Sequence, residues 1–89
     1  RSAKNEIDAL RGEYTQKKQV VEEMLPPLRA QAAETSRIAQ AVYREGASDL
    51  LRLLDAERVR IQTETLYIRS LIEYRQAAVG LQVALGIIP

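Results

Sequence analysis

The sequence predicts an all-α protein: a long antiparallel helical hairpin, coiled-coil-like, with its tip at about residues 46–48 and a kink or break at Pro26-Pro27. Three observations point there. Ala, Leu, Arg, Glu and Gln dominate, while only 4 Gly and 3 Pro occur in 89 residues, which is the composition of long helices. Apolar positions recur every seven residues through the first half. One clear turn signal, centred on Gly46, divides the chain into two helix-length stretches.

The first arm is expected over residues 3–45. Ile7, Tyr14, Val21, Leu28, Thr35 and Val42 form one row, and Leu10, Met24 and Ile38 a companion row that Lys17 and Gln31 dilute. That spacing is a coiled-coil seam, narrow and tolerant of some water. Pro26-Pro27 interrupts it by removing backbone donors and disfavouring helical geometry at Leu25. The arm therefore divides into segments of about 3–24 and 27–45. A true corner at the prolines would give a three-helix bundle instead, but the row passes in register from Val21 to Leu28, which favours a continuous axis.

At the turn, Gly46 suits the left-handed residue that ends a helix, since glycine has no Cβ to clash there. Ser48 suits the N-cap of the next helix and Asp49 its first turn, where a carboxylate complements the helix dipole. So short a connection makes the arms antiparallel. The second helix is expected over 49–85, with Leu50, Leu54, Ile61, Thr65, Ile68, Ile72, Val79 and Val83 on its packing side and Gly86 and Pro89 ending it. Arms of these lengths measure roughly 67 Å and 55 Å at ~1.5 Å per residue, a rod that buries little. Leu51, Leu53, Val59, Leu66, Tyr67, Leu71, Tyr74, Leu81 and Leu85 lie off that stripe, so the second helix needs neighbours on more than one side. Self-association of the isolated hairpin, as a four-helix arrangement, is the expected consequence.

Composition narrows function. With 13 Lys+Arg against 12 Asp+Glu, the formal charge is +1, which gives no electrostatic case for nucleic acid. No His and no Cys leave no thiol or imidazole for catalysis and no soft ligand set for a metal centre, so neither an enzyme nor a cofactor or metal site is expected. Asp49 and Asp55 are the only carboxylate pair near a turn, and their spacing sets them on nearly opposite helix faces. No apolar run approaches a membrane span. Opening at Arg1 without Met, the chain reads as a piece of something larger. The charges of Arg58, Arg60, Glu64, Arg69, Glu73 and Arg75 read as solvated faces or helix-to-helix pairs, and Tyr67 and Tyr74, seven apart, as packing between helices.

The stretch Ala41-Val42-Tyr43-Arg44-Glu45-Gly46-Ala47-Ser48-Asp49-Leu50-Leu51-Arg52-Leu53-Leu54-Asp55-Ala56-Glu57-Arg58 resembles the TolC-like outer-membrane efflux proteins (outer membrane factors). In that family a Tyr, a Gly three residues later and a Leu-Leu-Asp-Ala-Xaa-Arg run mark a helix–turn–helix. Tyr74 and the closing Ala84-Leu85-Gly86 also resemble the family's helix end. The likeness covers Ala41 to Gly86. Before that only helical character matches, apart from Leu-Pro-Pro-Leu, similar to a proline element of the metal-efflux branch.

The resemblance implies that residues 1–89 are the second hairpin of a periplasmic α-barrel in a Gram-negative outer-membrane protein, a homotrimeric duct whose twelve long helices come from two hairpins per protomer. It implies that the tip docks the hairpins of a periplasmic adaptor in a tripartite pump and so meets the inner-membrane pump indirectly. Tyr43, Gly46, Ala47, Ser48 and Leu50 occupy the matching tip positions. Asp55 stands where the family has an acidic residue of the constricted entrance, whereas Arg52 replaces a second acid often found there. Arg52 and Asp55 would then set charge at the pore mouth, or form only a local ion pair at i and i+3. Two other readings remain: the coiled-coil hairpin of the adaptor itself, and a purely structural coiled coil with an inert tip.

Overall fold

The computed structural model describes residues 2–46 and 49–87. Helix α1 (Ser2–Gln19) runs through a π turn (Val20–Met24) into α2 (Leu25–Arg44), and α3 (Leu50–Ala84) returns along both. The result is an antiparallel hairpin measuring 66 × 19 × 16 Å. No described helix is long and apolar enough to cross a membrane.

Pro26 and Pro27 neither break the first arm nor turn a corner. They sit at the start of α2, and the residues before them, Met24 and Leu25, keep right-handed helical dihedrals. The preceding turn absorbs the strain. The Leu25 amide reaches back to the Val20 carbonyl, an i→i−5 bond that widens the turn by one residue.

That extra residue corrects the expected seam. Ile7, Leu10, Tyr14, Lys17 and Val21 face α3, but beyond the π turn the inward row is Leu25, Arg29, Ala32, Ser36 and Ala39. Each is one position later than the seven-residue pattern requires. Leu28, Met24 and Ile38, expected in the seam, are 50%, 56% and 40% exposed, and Thr35 is exposed too.

The facing side of α3 also differs from expectation. Leu53, Ala56, Arg60, Thr63, Tyr67, Ser70, Tyr74, Ala77 and Leu81 face the first arm, stepping by three and four. Leu54, Ile61, Ile68, Ile72, Val79 and Val83 lie on the opposite side, each about half exposed, with Leu50 at the same level of exposure. The reason is steric. Ala32, Ser36 and Ala39 oppose Ala56 in the buried seam, and small residues let the two backbones approach as a row of leucines would not.

At 3.6 residues per turn, the outward stripe of α3 is centred roughly 150° from its seam. The two differ in period as well. The seam repeats every seven residues, whereas Leu54 and Ile72, Ile61 and Val79, and Thr65 and Val83 are each 18 apart, five whole turns. The seam thus suits a supercoiled partner and the stripe a straight one.

The far end closes as expected at Gly86, whose φ is +77°. Its amide bonds to the Val83 carbonyl at 3.0 Å and the Ile87 amide to the Gln82 carbonyl at 3.0 Å, the paired bonds of a Schellman cap. Pro89, expected to help end the helix, lies outside the described residues.

Candidate functional site: hairpin tip and flanking groove

The tip begins where α2 runs out of partners for its last carbonyls. The Glu45 amide bonds to Ala41 and the Gly46 amide to Tyr43, both at 3.1 Å, and Gly46 takes φ +83°, the left-handed conformation its lack of a Cβ permits. A Cβ at Gly46 would meet nothing within 4 Å, so backbone strain alone demands glycine here. Ala47 and Ser48, two of the expected docking residues, lie outside the described residues. Tyr43 and Leu50 are exposed on either side of the turn, and Leu51 beside them is 79% exposed.

The N-cap of α3 is Asp49, not Ser48: its carboxylate accepts the Arg52 amide at 3.0 Å. A carboxylate meets both needs of a helix start, satisfying a free amide and complementing the dipole. The expected Arg52–Asp55 pair does not form. Asp55 instead accepts from Arg58 at 2.6 Å, and Arg52 enters none of the ion pairs among the described residues. Arg52 and Asp55 are both exposed and border a groove on one broad side of the hairpin. Leu28, Thr35, Val59 and Leu66 line its walls, and Ala32, Ala39 and Ala56 its floor.

Polar ties across the seam fix how the two arms meet, and heptad reasoning missed most of them because it treats inward positions as apolar. Ser36, only 2% exposed, donates to Glu57 at 3.1 Å. Gln40 donates to the same carboxylate oxygen, and Arg60 holds the other oxygen at 2.9 Å. The Arg60 bond first, then Gln40 and Ser36, hold the Glu57 carboxyl below the usual range against the opposing effect of burial. One step further from the tip, Arg29 grips Glu64 through two bonds of 2.9 and 3.0 Å and lies over the Tyr67 ring at 3.9 Å. That grip lowers the Glu64 carboxyl too.

Towards the open end, Lys17 bridges to Glu73 at 3.2 Å, and the Tyr14 and Tyr74 rings pack at 5.6 Å. The Tyr14 hydroxyl, with burial and Glu22, pushes the Tyr74 phenol up to about 12. Glu64 and Glu73 thus serve as helix-to-helix pairs, and Tyr67 and Tyr74 as packing groups with their hydroxyls at the edge. Among the described residues, no group of three or more acids is placed to hold a metal ion.

Compared with protein-family models, curated proteins and solved structures, the chain matches none.

Proposed function

We propose that this chain is the second periplasmic hairpin of a TolC-like outer-membrane efflux duct, supplying channel wall along its length and an adaptor-docking entrance at its tip. The observation that carries the reading is the pair of opposed packing faces on α3. A helix in a globular bundle buries one broad stripe. In a single-layer ring each helix meets two neighbours, and in a ring of twelve the contact faces are set ~150° apart, as are the seam and the outward stripe here. The period of the outward stripe fits a straight neighbour, as a wall requires.

The tip supports the second half of the reading. Tyr43, Leu50 and Leu51 form an exposed apolar rim around a glycine turn, a surface that another helical tip can approach closely. Ala47 and Ser48 belong to the same tip by sequence. Arg52 and Asp55 would face the pore mouth of the assembled trimer, where Arg52, free of ion pairs among the described residues, contributes positive charge.

Mixing this hairpin with the hairpin of a periplasmic adaptor tests docking. Association that is lost on Gly46→Trp, with helicity retained, is the expected result; association indifferent to the tip contradicts it and favours an inert coiled coil. In the assembled duct, Asp55→Ala should change single-channel conductance, and unchanged conductance with unchanged cation block removes Arg52 and Asp55 from the entrance.

A further inference from the structure

The first arm carries two rows of side chains able to face α3, one residue apart. Arg29, Ala32, Ser36 and Ala39 face inward. Leu28, Thr35 and Val42, with Ile38 beside them, continue the spacing of Ile7, Tyr14 and Val21 and form the more apolar row. An uninterrupted α-helix would put that apolar row in the seam. It does not lie there, because the π turn adds one residue and rotates everything after it by about 100°.

The prolines stand directly after that turn. In a regular α-helix the rings of Pro26 and Pro27 would press on the carbonyls of Glu22 and Glu23, which would also lose their amide partners. A turn closed by the Leu25 amide on Val20 displaces those carbonyls. We infer that Pro26-Pro27 is a register selector: by fixing the π turn it holds the polar row against α3 and turns the Leu28–Ile38 row out to the groove side, beside Val59 and Leu66. The second arm is cut to match, with Glu64 set to receive Arg29 and Glu57 to receive Ser36 and Gln40. The inference concerns the hairpin alone and stands or falls independently of the duct reading.

The chain has no cysteine, so a single introduced thiol reports its own burial. Ser36→Cys and Thr35→Cys are compared by rate of maleimide labelling, with helicity followed by circular dichroism. In the native background Ser36→Cys labels more slowly by on the order of tenfold or more. With Pro26→Ala and Pro27→Ala the π turn is no longer required and the order reverses. Deleting Glu23 in that alanine background removes the extra residue from a regular helix, and protection returns to Ser36→Cys. An unchanged order in the alanine background overturns the inference, because partners on α3 would then set the register unaided. If the alanine background labels fast at both sites, the deletion decides: failure to restore protection at Ser36→Cys overturns the inference as well.

Discussion

At the scale of single residues, polar atoms settle what the apolar pattern leaves open. Ser36 shows this most directly, being nearly inaccessible where the arms come closest. Ser36→Leu should destabilise the hairpin by roughly 1–3 kcal/mol through overpacking, measured as a drop in urea midpoint; a rise would show that the seam has room for leucine. Asp49→Ala should cost about 1 kcal/mol by freeing the amide of Arg52, whereas Asp49→Ser should recover most of it. The Glu57 and Glu64 carboxyls titrate below their ordinary value of 4.5 in the folded hairpin. As pH falls through that range the unfolded chain takes up protons first, so this contribution to stability is full above about 4.5 and is lost as pH falls through the lowered folded values. Thermal melts at pH 7, 4.5 and 3 should show the melting temperature dropping over the two acidic steps, and Glu57→Gln with Glu64→Gln should flatten that drop. The glycine at the tip was legible in the sequence because a left-handed residue leaves few alternatives. The cap was misplaced by one because Ser48 and Asp49 are both competent, and only the geometry of the turn selects between them.

At the scale of elements, the hairpin and its ends follow from helix chemistry, and the faces of its helices do not. Seven-residue spacing locates helices but carries no count of residues gained at a π turn. The apparent continuity from Val21 to Leu28 therefore pointed to the wrong inward row beyond Pro26-Pro27. On α3 the sequence holds two stripes of different character, and the more apolar one was taken for the seam. Burial favours the less apolar stripe because Ala56, Ser70 and Ala77 allow close approach, and because Glu57 and Glu64 find partners on α2. Arg29 illustrates the difficulty: a guanidinium reads as exposed until Glu64 and Tyr67 are both beneath it. Arg29→Leu would leave the Glu64 carboxylate without its bidentate partner, so the Glu64 carboxyl should return towards its ordinary range, visible as an upward shift in its NMR titration.

At the scale of the whole molecule, a rod 66 Å long and under 20 Å thick places most of its surface in water, including a row of large aliphatic side chains down the back of α3. Such a row is larger than an isolated soluble rod tolerates without a partner. The central claim is therefore that the back of α3 is a packing face, filled in a larger assembly by neighbouring helices and in the isolated chain by another copy. Sedimentation equilibrium of the chain and of an Ile61→Glu, Ile68→Glu, Ile72→Glu variant tests it most directly. The account predicts association of the native hairpin at submillimolar to millimolar concentration and a monomeric, still helical variant. A native chain that stays monomeric at millimolar concentration, or a variant that associates equally well, would contradict it.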